Sequence, residues 1–303
     1  MQALARRERP PTVIPWARAF DRMTAPTLKF LGTGGGRFTT MYQARSTGGC
    51  LLKAGGQFHI DPGPGALLRA RDEREDLTLT RAVLVTHAHP DHYTDAEVAV
   101  EAMTRGRTVK RGTFIGSRSV VHGTDSHDAV LSRVHREAPE ELIAVGPGDH
   151  FKVDGLAGRA TYSKHSDETT VGFRFTTGEG VIGYIADTQL DEDLIKAHRG
   201  SRLLVVPATR PRGKRIRWHL CADDVVTLLS ALRPEVAVLN HLGLKMIRAG
   251  PAEEAAWIEK ATGVRTIAAL DGMTVRMADQ IEVVPPSATA NAPAPPQPDD
   301  IAE

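Results

Sequence analysis

The stretch Thr86-His87-Ala88-His89-Pro90-Asp91-His92 constrains this chain more than any other. It sets three imidazoles and a carboxylate directly behind the apolar run Ala82-Val83-Leu84-Val85. A strand that stops at Thr86 and opens into a turn presents all four groups on one loop. Imidazoles and a carboxylate are ligands that suit zinc. His87 and His89 lie two apart, so in extended chain they point the same way and can share one ion. Asp91 and His92, just past Pro90, can turn toward another. The spacing predicts two metals, with manganese or iron as alternatives to zinc.

The rest of the chain has room to build around such a loop. With 303 residues, 41% of them hydrophobic, it can bury one large core. We expect a single domain over 27–286. Residues 1–26 carry Arg6, Arg7, Arg9, Pro10, Pro11 and Pro15 with little apolar periodicity, and read as a loosely ordered arm. Residues 287–303 are mostly Ala, Pro, Asn and acidic groups, and read as a disordered tail. A formal charge of +1 gives no global pull toward nucleic acid or an anionic membrane. No apolar stretch approaches the roughly 20 residues of a membrane span. Cys50 and Cys221 are too few for a disulfide framework and fit a reducing compartment, so the expected location is the cytoplasm.

Short apolar runs predict strands over 27–31, 50–53, 57–60, 82–86, 113–116, 142–145, 160–162, 171–176, 181–186, 203–207, 236–240, 266–270 and 273–276. A helix is expected over 94–105, with Thr94 and Glu97 as a capping box and Gly106 as its stop. A second, over 222–232, has Val225, Leu228, Leu229 and Leu232 at helical spacing. A third runs from Pro251 to Gly263. Strands interspersed with helices imply a layered α/β fold. Asp61, His165, Asp187 and His241 each follow a predicted strand, so one edge of the sheets can collect them beside His87–His92.

These residues, in this order, resemble the metallo-β-lactamase superfamily of binuclear metal hydrolases. Asp61 matches the first motif, His87-x-His89-x-Asp91-His92 the second, and His165, Asp187 and His241 the third, fourth and fifth. The resemblance covers 27–277 and implies a four-layered αβ/βα sandwich with two zinc ions at one rim. It further implies that His87, His89 and His165 bind one ion, that Asp91, His92 and His241 bind the other, and that Asp187 bridges them. Asp91, Asp187 and a bridging hydroxide would leave about one positive charge on such a pair, which favours a mono-anionic ester. Asp61 reads as a supporting carboxylate that orients the loop.

Within the superfamily the chain resembles the ribonuclease Z-like phosphodiesterases. The resemblance lies in Leu28-Lys29-Phe30-Leu31-Gly32-Thr33-Gly34, in Thr170-Val171-Gly172-Phe173 and in Ala269-Leu270-Asp271-Gly272-Met273. That branch implies a histidine near the leaving group, and His219 falls there. Asp91 and His219 are therefore the candidate catalytic residues, with His219 equally readable as a helix-start residue. Only 22 residues separate His165 from Asp187 (187 − 165), which leaves no room for the arm with which ribonuclease Z grasps tRNA. No acid stands near Val206-Pro207-Ala208-Thr209 to partner His219, and Leu242-Gly243-Leu244 follows His241 where a polar residue and an arginine are expected.

The dense run Arg210, Arg212, Lys214, Arg215 and Arg217 is readable as a solvated loop or as a grip on substrate phosphates, with Arg212, Lys214 and Arg215 as the candidate contacts. Gly32-Thr33-Gly34-Gly35-Gly36 lacks the Lys-Ser/Thr of a phosphate loop and reads as a tight turn over the metal rim. His59, His122, His127, His135, His150 and His198 read as structural, and Cys221 as a small buried residue. The expected partners are an anionic ester, with nucleotides or RNA as candidates, and a second copy of the chain. The rival readings are hydrolysis of a thioester, lactone or β-lactam, and a non-hydrolytic metal or nucleic-acid binding module.

Overall fold

The computed structural model describes residues 25–125 and 127–286. The expected tail, and the expected arm apart from Ala25 and Pro26, lie outside the described residues. Fifteen strands form two mixed sheets among the described residues. The first sheet contains β1 (Thr27–Phe30), β2 (Cys50–Lys53), β3 (Gln57–Ile60), β4 (Thr80–Val85), β5 (Thr113–Ser117) and β6 (Glu141–Val145). The second contains β7 (His150–Val153), β8 (Leu156–Tyr162), β9 (Val171–Thr177), β10 (Gly180–Tyr184), β11 (Leu203–Pro207), β12 (Val236–Asn240) and β13 (Arg265–Ala268). The chain then returns to the first sheet with β14 (Thr274–Met277) and β15 (Ile281–Val284). The orders are β15-β14-β1-β2-β3-β4-β5-β6 and β13-β12-β11-β10-β9-β8-β7.

Alternation along the central strands shows why two sheets stack and both carry helices. In β12, Val236 and Val238 enter the core between the sheets, while Ala237 and Leu239 face a second core under helices. Leu203 and Val205 of β11 divide from Leu204 and Val206 in the same way. In β4, Ala82 and Leu84 face the other sheet, and Val83 and Val85 face helices on the opposite side. A strand buried on both faces reads as a continuous apolar run, as these do. The result is four layers, helix–sheet–sheet–helix. Each fully buried Leu, Val or Phe contributes about 1.5–3 kcal/mol relative to exposure.

The helices show where local signals prevail. Ala222–Leu232 buries Val225, Leu228 and Leu229 against β11 and β12. Its N-cap is Cys221, whose side chain and backbone complete a capping box with Asp224. Pro251–Thr262 starts on Pro251 and ends at Gly263, whose φ of 70° suits glycine.

The helix expected over 94–105 is corrected. Pro90–Tyr93 forms one short turn and Ala96–Met103 the helix proper. The Thr94–Glu97 capping box does not form. Thr94 Oγ1 donates back to the Pro90 carbonyl at 2.6 Å, and Glu97 accepts from the Ser132 amide on another segment. The preceding proline nucleates a turn of its own and takes Thr94 with it.

Candidate metal centre

Each expected ligand, and the supporting Asp61, follows the C-terminal end of a strand. Asp61 follows β3, the His87–His92 loop follows β4, His165 follows β8, Asp187 follows β10 and His241 follows β12. The β3–β4 and β10–β11–β12 neighbours are parallel, so these ends fall on one rim.

Two groups of ligand atoms converge there: His87, His89, His165 and Asp187 in one, and Asp91, His92 and His241 in the other. In the first, His89 Nδ1 lies 3.0 Å from His87 Nε2 and 3.1 Å from His165 Nε2. In the second, His241 Nε2 lies 3.2 Å from both His92 Nε2 and Asp91 Oδ2. Asp187 stands between them. Its Oδ1 is 3.2 Å from His241 Nε2, and its Oδ2 is 3.7 Å from His92 Nε2 and 3.9 Å from His165 Nε2.

The outer hydrogen bonds decide which nitrogens carry protons. His165 Nδ1 meets the Trp218 carbonyl at 3.0 Å, which only accepts. His92 Nδ1 meets Asp61 Oδ2 at 3.0 Å, again an acceptor. Thr86 Oγ1 donates to Asp61 and so accepts from His87 Nδ1 at 3.0 Å. All three rings thus point an N–H outward, and each in its neutral form has a bare lone pair inward. Inward lone pairs facing one another, and a buried Asp187 Oδ1 with no hydrogen-bond partner, call for a cation. The donor set of imidazoles and carboxylates fits divalent zinc, manganese or iron.

Electrostatics supports ligand-ready states for His165, His87 and Asp187. Burial holds His165 down to about 4, with Asp187 opposing in part. Burial, reinforced by His92, keeps His87 well below its ordinary value, so both rings are neutral at pH 7. Burial disfavours charge on Asp187, yet His241, His219 and His92 outweigh it and hold the carboxyl well below the usual range. His92 goes the other way. Burial opposes its charging, but Asp91 and Asp61 prevail and raise it.

Asp61 is the hub behind the ligands. It accepts from the Thr86 amide at 2.8 Å, from Thr86 Oγ1 and His92 Nδ1 at 3.0 Å, and from Tyr184 OH at 3.3 Å. Asp61, Trp218 and His241 all hold positive φ, at 52°, 70° and 51°. Such conformations persist only where their surroundings fix them, and here they cluster at the site.

The glycine turn does lie over this rim. The Gly36 amide donates to Asp91 Oδ2 at 2.7 Å, and a Cβ on Gly35 would sit 2.1 Å from the His241 ring. Asp271 fixes the base of the turn by accepting from Thr33 N, Thr33 Oγ1 and Ser46 N at 2.9, 2.6 and 2.8 Å. Two supporting residues have no motif signal. Thr209 Oγ1 meets His241 Nδ1 at 3.1 Å, and Asp167 accepts from the Ala88 amide between His87 and His89. Asp167 lies two residues past His165, and that proximity is the one hint in the chain.

His219 is brought into the site. Its Nε2 lies 3.3 Å from Asp187 Oδ2, and its Nδ1 is held by the Arg217 carbonyl at 3.3 Å. Burial disfavours its charge, but Asp187 outweighs that and raises its pKa.

The basic run is held by carboxylates. Arg212 pairs with Glu254 at 3.0 Å and lies over the Trp257 ring, and Arg215 pairs with Asp224. Neither of them, nor Lys214, lines the cleft above the ligands, to which Arg37 and Arg210 contribute instead. The carboxylates that capture Arg212 and Arg215 belong to helices packed beneath the loop, a proximity that spacing along the chain does not reveal.

A mixed-sheet α/β sandwich with a His/Asp cluster at one rim defines a metallo-hydrolase fold. Residues 57–242 match the model of the β-lactamase superfamily domain, a span that includes every candidate ligand. The chain belongs to that superfamily, with the metallo-β-lactamase fold. It is 40% identical over 251 residues to an uncharacterised protein of Methanocaldococcus jannaschii, MJ1374, covering 82% of this chain and 94% of that one. The fold is similar to that of the metallo-β-lactamase fold protein YhfI from Bacillus subtilis, with a TM-score of 0.68 and 16% identity over 82% of this chain and 98% of the other. It is also similar to the short form of human tRNase Z, with a TM-score of 0.61 and 15% identity over 83% and 99%. A diphosphatase of the PhnP family gives 0.63 and 18% over 84% and 98%. No helix among the described residues is long and apolar enough to cross a membrane.

Proposed function

We propose that this chain is a binuclear zinc-dependent phosphodiesterase. The observation that carries the reading is the pair of ligand groups meeting at Asp187, with His219 beside it at the open side. His87, His89 and His165 would hold one ion, Asp91, His92 and His241 the other, and Asp187 both. When bound, the ions supply a nucleophile from water at neutral pH and stabilise negative charge on the reacting centre.

The chain's own residues do the rest. Asp91 and Asp187 offset part of the metal charge while the imidazoles stay neutral, so the cluster keeps a positive balance that suits a mono-anionic diester. Asp61, Thr86, Thr209 and the Trp218 carbonyl fix the ligand rings from behind, so that little reorganisation is needed as charge develops. His219, anchored through Nδ1 on Arg217, turns Nε2 toward the cluster and donates a proton to the leaving alkoxide. The tRNase Z and PhnP-type likenesses favour phosphorus–oxygen chemistry over the lactam, lactone or thioester alternatives.

The test compares a diester with an alkoxide leaving group and one with p-nitrophenolate. His219→Ala is expected to slow the alkoxide ester about 10²–10⁴-fold and the nitrophenyl ester far less. Equal slowing of both removes the proton-donor role. Turnover of nitrocefin or a thioester in preference to bis-p-nitrophenyl phosphate overturns the phosphodiesterase reading.

A further inference from the structure

The walls of the cleft above the ligands are unlike its floor. The floor carries His89, Asp91, His165, Asp187 and His219. One wall is the short helix Arg37–Tyr42, on which Phe38 and Met41, three apart, share a face. Met41 is 69% exposed, an apolar side chain held at the mouth without a core to enter. The other wall is Ile216 and Trp218, and Arg217 stacks on the Trp218 ring at 4.2 Å and steadies it. Leu244 closes the side. The cavity is about 730 Å³, a size that suits a small molecule.

Charge around the cleft points the same way. Glu254 and Asp224 already neutralise Arg212 and Arg215, so of this loop's candidate phosphate contacts none lines the cleft, and its lining residues are Arg210, Ile216 and Trp218. The segment from His165 to Asp187 is taken up by β9, β10 and their turn, with no arm to hold a strand. A polyanion needs a track of cations, and this lining has two arginines, Arg37 and Arg210, beside the apolar Phe38, Met41, Ile216, Trp218 and Leu244. One anionic centre fits over the floor, and one apolar group fits between the walls.

We infer that the site takes a compact mono-anionic diester bearing an alkyl or aryl substituent, clasped between Phe38 and Met41 on one side and Ile216 and Trp218 on the other. This rests on the phosphodiesterase reading above.

The test is a series of n-alkyl p-nitrophenyl phosphates, methyl to butyl, on the zinc-loaded protein. Calorimetric titration with monoethyl esters of methyl- and butylphosphonate runs beside it. Each methylene entering an apolar pocket raises kcat/KM or affinity about fourfold, so butyl should exceed methyl by about 60-fold. Phe38→Ala combined with Met41→Ala should flatten the series to about threefold, and Phe38→Leu should retain most of the slope. A flat series in the parent protein, or a 2,3-dihydroxypropyl ester matching the butyl ester, overturns the inference. If no ester is turned over, the phosphodiesterase reading falls and the titration decides alone. Tighter binding of the butylphosphonate ester then upholds the apolar clasp, and equal binding of the two overturns it.

Discussion

Replacing Asp167 with asparagine tests whether a residue that touches no candidate ligand governs how well the first group holds its ion. Asp167 Oδ2 accepts from the Ala88 amide at 3.1 Å and from Ser119 Oγ at 2.5 Å. Its Oδ1 accepts from Thr169 N and Oγ1 at 3.0 Å each. Ala88 lies between His87 and His89, so this carboxylate ties the ligand loop to the helix Arg118–His122 and to the segment after His165. Burial disfavours its charge, yet Ser119, Ala88 and Thr169 outweigh that and hold its pKa below the ordinary value. Asparagine keeps the shape, but one of its two positions becomes a donor facing donors whichever way the amide turns. A hydrogen bond to a charged group is worth about 1.5–3 kcal/mol, and an unmet donor costs a further 1–3 kcal/mol or so. Part of that loss falls on loop position, and outer support of metal ligands typically sets about 10–100-fold in affinity. Chelator competition for zinc reads the affinity, and urea unfolding of the metal-free protein reads the fold. The expected result is a first ion bound about 10–100-fold more weakly, with the second affected less. Loss of stability with both affinities unchanged would show that Asp167 supports the fold and not the centre.

Two further perturbations follow from close packing and from burial. Gly35→Ala would drive a Cβ into the His241 ring, so metal content should fall toward one ion per chain while circular dichroism stays native. Full metal content in that variant contradicts the packing. His198 is fully buried, with both ring nitrogens lacking a hydrogen-bond partner, and burial, then Arg174 and Arg159, push it down to about 3. The unfolded chain gains a proton on this group below about 6.5 while the folded one does not, so stability falls as pH drops through that window toward 3. The slope is about 1.4 kcal/mol per pH unit from this residue. His198→Phe should therefore lose about 2 kcal/mol less than the parent between pH 7 and 5, read from urea midpoints. Equal losses refute it.

Legibility in the chain followed how far each signal reaches. The strands β11 and β12 match the expected 203–207 and 236–240 residue for residue, because a buried parallel strand announces itself as an unbroken apolar run. β7 escaped notice. Exposed His150 and Lys152 alternate with only two apolar residues, and the strand is recognisable only through its pairing with β8. The short helix Glu192–His198, capped by Asp191, is equally silent, since its large apolar residues are only Leu194 and Ile195. For the site, the candidate ligands were legible because their types and order are chemical, and the fold gathers them at strand ends. What holds them was not. Thr209 behind His241 and Asp167 behind Ala88 act through contacts 32 and 79 positions apart. The charges of the basic run were legible, but their capture by Glu254, 42 positions from Arg212, was not.

By the reading proposed above, one chain holds two ions that share Asp187. The most direct test of that reading is zinc bound per chain after reconstitution of metal-free protein, measured by elemental analysis on the parent, His89→Ala and Asp187→Asn. The expected result is two equivalents in the parent, a deficit confined to one ion in His89→Ala, and loss from both groups in Asp187→Asn. A parent that saturates at one equivalent, or an Asp187→Asn variant that keeps both ions at parental affinity, would contradict it.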